Sequence, residues 1–442
     1  MADVIKRCLA EPAIDGQQVA VVTATSQRQA VVFIGDGDEE LHAGPNSDMR
    51  AVFEGGAIDN EMGERVYRTT GHLPSFLFAP AKLRYLEAQD PSRFEKLRLV
   101  LTLADWIIWR LTGQAFSEPT LANGAGLLDV SDRQWCTGLM ADLRLNPGLP
   151  TLVDAGTMVG RISAKAAGTT GLEAGTPVAV SGADTQCGLL GLGLSEAGQA
   201  GIVAGWSAPV QYLTDGPIFN DEMSTWTGCY LMPELSVVES SAGDLGNAYR
   251  WTAETFFECA GGAFDMMDRL AGAAAVGSEG TKAFFGPPRM DMRRLGLRTG
   301  GVLFPVPIAY EDPSPANIAR AALESTAYAI KGNLLQAEDV VGSGARTVAV
   351  GGGMTRTKAF TRILADVIGR EIRVSATPDV SALGAYRCAQ VALGELGSLG
   401  DSAACGFGEL TVTEPDLADA SEYEYRYEQW LQMADLMNSM EM

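Results

Sequence analysis

The sequence predicts an α/β protein of two domains with buried strands, and three observations carry that prediction. A chain of 442 residues with 46% apolar content is long enough for two packed domains, each with its own core. Short β-branched runs recur beside helical patterns, with "QVAVVTAT", "TPVAVSG", "AGIVAGWS" and "TVAVGGG" the clearest. Near-continuous apolar runs of this kind mark strands covered on both faces. Each run ends in Gly, Ser or Thr. Open α/β sheets bind ligands at the carboxyl ends of their strands, where small residues let backbone amides approach closely.

Along the chain, the first residues predict one helix, followed by a strand in "QVAVVTAT". The most hydrophobic span, "LVLTLADWIIWRLTG", is too short to cross a bilayer and is broken by Asp105, and "MADVIKRCLAEP" lacks the apolar core of a signal peptide. "TPVAVSGADTQCGLLGLG" carries a buried strand into Ser181, Gly182 and Ala183, and then into a single carboxylate, Asp184. Residues 277–301 are rich in Gly and Pro and predict a loop-rich insertion. "SPANIARAALESTAYAIKGNLLQAEDVV" predicts a long helix with Pro315 in its first turn. After "TVAVGGG" come Phe360, Ile363, Leu364, Val367 and Ile368 at helical spacing, with Gly369 as the stop. This is a strand, a glycine turn and a helix, and the helix is expected to turn its positive N-terminus toward the turn. "EIRVSAT" predicts a strand, and Pro378 and Asp379 open a further helix. The tail from Pro415 predicts a closing helix whose Tyr423, Tyr427 and Trp430 lie along one side, a stripe expected to pack into the core.

Charge and composition exclude several functions. With 33 Lys and Arg against 55 Asp and Glu, the net charge of -22 repels nucleic acid and anionic membranes. Local amides and single cations still hold a small phosphorylated ligand against such a background. Seven cysteines, Cys8, Cys136, Cys187, Cys229, Cys259, Cys388 and Cys405, are odd in number, scattered and never in a Cys-x-x-Cys pair. They indicate neither a disulfide framework nor a zinc site and fit a reducing cytoplasm. The two histidines, His42 and His72, lack partners at metal spacing.

Neither Gly-x-x-x-x-Gly-Lys-Ser/Thr nor Gly-x-Gly-x-x-Gly after a strand occurs, so a nucleotide must be held without the commonest phosphate cradles. Gly351, Gly352 and Gly353 offer bare backbone to a planar group. Taken alone, such a turn is equally a plain connection.

The order of four segments adds weight. "SGADTQCGLLGLG", "GIVAGWSAPV", "RAALESTAYAIKGN" and "VAVGGGMTRTKAFTRILADVIGREIRVSATPDVSALGA", with "VTATSQRQAVVF", "AGPNSDMRA" and "LADWIIWRLTGQAFSEPTLANGAGLLDVSDRQW" upstream, resemble the FGGY carbohydrate kinases over nearly the whole chain. The resemblance implies a two-domain actin-like, ribonuclease H-like ATPase fold, with a sugar-binding domain over residues 1–193 and a nucleotide-binding domain over 194–442. It implies ATP as phosphoryl donor, Mg2+ with it and a small sugar as acceptor; a homodimer is one assembly open to the chain, and the sequence does not determine its oligomeric state.

It also implies roles for residues. Asp184 corresponds to the general base, which accepts the proton of a sugar hydroxyl as that oxygen attacks the γ-phosphoryl group. The alternative is a helix cap, with Asp184 satisfying amides near Gln186 or Cys187. Arg28 and Gln29 in "TSQRQ" match the family's sugar contacts, and Asn46, Asp48 and Arg50 in "PNSDMR" match a second substrate-side stretch. The alternative there is ordinary pairing, Asp48 bonding Arg50 as an exposed ion pair. Gly205 and Ser207 match the second phosphate loop, with Trp206 where the family usually has threonine, and Gly352, Gly353 and Met354 match the adenosine turn. Leu77 stands where glycerol-using members carry tyrosine, and the substrate-side pattern is nearer to xylulokinase-like and autoinducer-2-kinase-like members.

One segment of the family pattern has no counterpart. Members begin with a strand and hairpin close to Gly-Ile-Asp-x-Gly-Thr, whereas the first residues of this chain match the middle of the family's first domain. The resemblance therefore implies a first domain truncated at its start, or a true start lying upstream. The leading expectation is an ATP-dependent sugar kinase. The alternative is a catalytically impaired or regulatory relative that binds sugar or nucleotide.

Overall fold

The computed structural model describes residues 1–257, 262–292, 300–306, 314–401 and 410–439; Cys259, Cys405 and part of the 277–301 insertion lie outside them. The chain forms two compact units. The first comprises Met1–Ser195, Thr214–Val237 and Ser381–Cys405, and the second Glu196–Leu213, Val238–Val380 and Gly406–Met442.

In the first unit a three-stranded antiparallel sheet runs in the order Glu40–Gly44, Val31–Gly35, Leu97–Thr102. Val31–Gly35 is buried at every position because it is the central strand. Its register sets Phe33 opposite His42, with ring centroids 4.8 Å apart. The helix Leu103–Thr112 starts in a capping box, Thr102 and Asp105 each accepting the other's backbone N–H. Asp105 thus serves a helix start within the most hydrophobic span of the chain. A core of Ile108, Leu111, Leu121, Val178, Val180 and Ala183 packs beneath the strand leading to Asp184.

The strand expected at "QVAVVTAT" is reduced to two isolated parallel bridges, Val22 with Val178 and Ser26 with Ala183. Side-chain hydroxyls break the ladder between them. Ser181 Oγ donates to the Ala24 carbonyl at 2.7 Å, and Thr25 Oγ1 donates to the Gly182 carbonyl at 2.7 Å.

In the second unit the sheet order is Ser236–Ser241, Pro209–Thr214, Gln199–Val203, Thr347–Gly351, Ile372–Ser375, Leu410–Thr413. Thr347–Gly351 lies parallel to both of its neighbours, and antiparallel pairs flank this parallel centre. The helix Pro315–Val341 runs 27 residues, with Ser314 capping its start and Gly342 closing it at φ 80. It carries a buried polar network: Arg320 pairs with Glu324 at 3.0 Å, and Tyr423 of the closing helix Leu417–Ser439 donates to Glu324 at 2.8 Å. Tyr423, Tyr427 and Trp430 are buried against Tyr328, so the expected stripe is core packing.

Among the described residues no helix is long and apolar enough to cross a membrane. The described cysteines, Cys8, Cys136, Cys187, Cys229 and Cys388, are free thiols.

Candidate active site

Asp184 opens the helix Asp184–Gly191 but does not cap it. The cap position belongs to Ala183, at φ -64 and ψ 149, whose carbonyl accepts the Cys187 N–H at 2.8 Å. Asp184 Oδ1 accepts the N–H of Thr185 at 2.8 Å. The helix-cap alternative at Gln186 or Cys187 is therefore not the geometry adopted at Cys187. The carboxylate is half-buried at the end of the strand, after the fully buried Ser181.

The "TSQRQ" segment lies directly beside this turn, because the Asp184 N–H donates to the Ser26 carbonyl at 3.0 Å. Arg28 follows two residues later, and its guanidinium lies 5.4 Å above the Trp226 ring. Trp226 is itself pinned: its indole N–H donates to the Leu73 carbonyl at 2.5 Å, and His72 and Phe78 pack on its ring at 5.2 and 5.9 Å. His72 Nδ1 lies 2.7 Å from the Thr70 carbonyl, so that nitrogen carries the proton. Gln29 sits at φ 61, an unusual backbone conformation for a side chain this size. Two bonds hold it there. Its N–H donates to the Gly124 carbonyl at 3.1 Å, and its carbonyl accepts from Lys82 Nζ at 2.8 Å.

Lys82 is fully buried, and burial lowers its pKa to about 8 against the opposing pull of Asp48, with Arg50 lowering it further. Asp48 bonds Arg50 as the pairing alternative expected, Arg50 Nε donating to Oδ1 at 2.8 Å. The pair is not an exposed one: the Asp48 side chain is 6% exposed and Arg50 47%. Burial works to raise the Asp48 pKa, but the hydrogen bonds from Arg50 outweigh it and hold the carboxylate below its ordinary range. His42 faces Asp48 at 3.5 Å, yet burial, helped by the charge of Arg50, drives its pKa down to about 4. At neutral pH this contact is therefore between a neutral imidazole and a carboxylate, not an ion pair. Asn46 is exposed on the loop ahead of Asp48, and Leu77 is half-buried.

The structure thus brings Arg28 and Gln29 beside Asp184 through backbone pairing, and Lys82, which holds the Gln29 carbonyl, lies close enough to Asp48 and Arg50 to feel their charges. It leaves Asn46 at the surface. Three residues that sequence reasoning passed over carry this arrangement: Lys82, Trp226 and Glu118. A lone Lys in "FAPAKLRYL" and a Glu-Pro at a helix start are visible signals, but neither reveals its partner.

Glu118 caps the short helix Pro119–Gly124 and is fully buried. Burial pushes its pKa up to about 8, against the hydrogen bond from Thr120 and the charge of Arg133.

In the second unit the two loops expected to face a nucleotide meet at Ala204. Its N–H donates to the Gly351 carbonyl at 2.7 Å, and its carbonyl accepts the Met354 N–H at 3.0 Å. Gly352 has φ 103, and a Cβ there would lie 2.5 Å from the Ala204 carbonyl oxygen, so this position requires glycine. Gly353 is different, because a Cβ there would enter open space. Met354 is buried. The Gly205 N–H donates to the Ser207 carbonyl at 2.9 Å, closing the other loop, and Trp206 at its tip is 61% exposed. The Trp206 carbonyl accepts the Gly246 N–H at 3.0 Å, and the Arg250 guanidinium lies 5.5 Å above the indole.

The helix after the glycine turn departs from expectation. A 3-10 turn, Gly353–Arg356, intervenes before Lys358–Ile368 begins. The first amides of that helix are already occupied, Ala359 N–H and Lys358 N–H donating to the Asp268 carboxylate at 2.8 and 3.3 Å. Its N-terminus is therefore neutralised by Asp268 and is not offered to a ligand.

Comparison with known proteins identifies the family. Residues 1–191 match the N-terminal domain and residues 200–393 the C-terminal domain of the FGGY family of carbohydrate kinases. The autoinducer-2 kinase of Salmonella paratyphi B is 29% identical over 449 residues, covering 96% of this chain and 82% of that protein. Among solved structures, the ligand-bound xylulose kinase of Lactobacillus acidophilus aligns with a TM-score of 0.83 at 19% identity, covering 99% of this chain and 88% of that one. The glycerol kinase of Plasmodium falciparum with ADP aligns at 0.78 and 18%, covering 95% and 83%. The likeness to these structures establishes the actin-like, ribonuclease H-like fold of the two-domain sugar kinases. With both domains matched, the chain belongs to the FGGY family of carbohydrate kinases, ATP-dependent enzymes that phosphorylate sugars.

Proposed function

We propose that this chain transfers the γ-phosphoryl group of ATP to a hydroxyl of a small ketose, polyol or related carbohydrate, with Asp184 as general base. The observation that supports it most is the placement of a half-buried carboxylate at a strand end, directly beside the Arg28–Gln29 segment. An ionised carboxylate only accepts hydrogen bonds, so a hydroxyl placed against Asp184 directs its proton there and frees an oxygen lone pair for attack. Arg28, held over the Trp226 ring, and Gln29, fixed at its unusual φ, would orient the acceptor's other hydroxyls.

The second unit would receive ATP. Gly353 leaves room for a planar base against bare backbone, and the Gly205–Ser207 loop would meet the phosphates. Mg2+ enters as the counter-ion of those phosphates, as part of the substrate. Among the described residues no group of three or more His, Cys, Asp or Glu could hold a metal ion of its own. Such an ion needs only one or two protein carboxylates once phosphate oxygens bind it.

The relatives suggest an acceptor panel of autoinducer-2, xylulose and glycerol, and the half-buried Leu77 argues for the first two over glycerol. ADP release by the full chain with each acceptor is the test. Turnover with autoinducer-2 or xylulose above that with glycerol supports the reading. Turnover with none of the three favours the impaired or regulatory alternative, to which the exposed Trp206 in the phosphate loop points.

A further inference from the structure

We propose that Thr120, braced by Glu118, is a positioning residue that sets the place of Asp184. The inference rests on the reading of Asp184 as general base. Glu118 Oε2 accepts three hydrogen bonds, from Thr120 N–H at 2.8 Å, Leu121 N–H at 3.3 Å and Thr120 Oγ1 at 2.5 Å. The Thr120 hydroxyl has a single proton, and this proton is directed to Glu118. Its lone pairs are thereby turned toward the Ala183 N–H, which donates to Thr120 Oγ1 at 2.9 Å. Ala183 immediately precedes Asp184, so the hydroxyl fixes the peptide from which the base projects.

The contact is close. A Cβ at Gly182 would lie 2.7 Å from Thr120 Oγ1 and 3.0 Å from Glu118 Oε2 and would strike Leu231, so the turn rests on this pair with no side chain between. From its other side the same turn is held by Thr25 Oγ1, which donates to the Gly182 carbonyl, and by the Ser26 carbonyl, which accepts the Asp184 N–H.

A simple helix cap would not require this. Ser or Asp reaches the two amides of a helix start from closer to the backbone. The longer Glu118 also reaches the Thr120 hydroxyl, and it does so at the cost of leaving its buried Oε1 without a hydrogen-bond partner. The far end of the same short helix holds the acceptor-contact segment, since the Gly124 carbonyl accepts the Gln29 N–H. Helix Pro119–Gly124 therefore ties the base and the acceptor contacts to one rigid piece. A displacement of about 1 Å between reacting groups costs on the order of 100-fold in rate.

The test compares Thr120→Val, Thr120→Ser, Asp184→Asn and the double variant Thr120→Val/Asp184→Asn, using ADP release with the best acceptor of the panel above. Thr120→Val is expected to lower kcat at least about 10-fold with KM for acceptor and ATP within about twofold, and Thr120→Ser to restore kcat to within about threefold. In the Asp184→Asn background Thr120→Val should cost nothing further. Should Thr120→Val fail to fold, Thr120→Ala removes the same hydroxyl without placing a second methyl group against the turn. Hydrogen–deuterium exchange over Gly182–Cys187 is the second readout, with protection of the Ala183 amide lost in Thr120→Val and regained in Thr120→Ser. Wild-type kcat in a folded Thr120→Val, alongside an inactive Asp184→Asn, overturns the positioning role alone. Near-normal turnover in Asp184→Asn overturns both readings.

Discussion

Around Asp184 the turn Gly182–Asp184 is fixed by the hydroxyls of Thr25 and Thr120, with a buried carboxyl behind one of them. Around Gly352 the chain is fixed chiefly by its own amides and carbonyls, which meet at Ala204, with a single hydroxyl, Thr355 Oγ1, donating to the Gly352 carbonyl at 2.8 Å. The difference determines how each region fails. A side-chain brace can be removed one hydroxyl at a time, leaving the backbone path intact. A backbone brace fails only when a side chain is forced where none fits, as at Gly352, or when one fills the space a ligand needs, as at Gly353.

The largest effect belongs to the first region. Because the base acts only while the phosphoryl group moves, Asp184→Asn should reduce kcat at least roughly 100-fold, with little change in acceptor affinity by calorimetry. Turnover near that of the unaltered chain would remove Asp184 from the chemistry.

The second region should respond in the opposite sense, through binding. Gly353→Val should weaken ATP affinity at least about 10-fold, a loss of about 1.4 kcal/mol, while the melting temperature and acceptor affinity stay close to those of the parent. The open space at Gly353 predicts a folded protein. Unchanged ATP affinity would return the turn to a plain connection between strand and helix.

A smaller effect separates the proposed acceptor contacts from the proposed base. Trp226→Leu removes the face on which Arg28 rests. A cation on an indole contributes about 0.5–2 kcal/mol, so KM for the acceptor should rise about 2- to 30-fold while KM for ATP holds. Trp226→Phe should lie between the two. An equal rise in both KM values would show that Trp226 supports the unit in general and not Arg28 in particular.

The two regions also differed in how much of them could be read from sequence. The second unit was legible where a single stretch specifies a feature: "TVAVGGG" is a strand with a glycine turn, and the apolar spacing from Phe360 to Ile368 is a helix ending at Gly369. What escaped was the Asp268 carboxylate on the first amides of that helix, a contact across about 90 residues of sequence. The first unit was legible at Asp184 because a carboxylate after a buried strand is conspicuous. Its supports were not, since Thr120 and Ala183 are 63 residues apart and Lys82 and Gln29 are 53 apart. A strand was expected over "QVAVVTAT" because its residues favour one, but Thr25 and Ser181 use their hydroxyls to take carbonyls that a regular ladder would have used.

The smallest effect is one of pH, and it too is confined to the side-chain-held region. His42 is buried beside Phe33 and Asp48, and its pKa is lowered from 6.5 to about 4. Between those values the unfolded chain binds a proton at His42 that the folded chain does not. This contribution to stability is therefore fully present above pH 6.5 and is lost as the pH falls toward 4. Asp48 is held below its ordinary range by Arg50, so its own loss comes at still lower pH and is separable. His42→Gln should flatten the fall in melting temperature between pH 6.5 and 4 while leaving the drop below pH 4 in place. Glu118, whose raised pKa adds stability as the pH falls, acts on both proteins alike, so a His42→Gln profile that runs parallel to the parent's across that window would mean that water reaches the imidazole in solution. In that case the polar residues around Asp48 would be less enclosed than the Arg50–Asp48 and Lys82–Gln29 bonds imply.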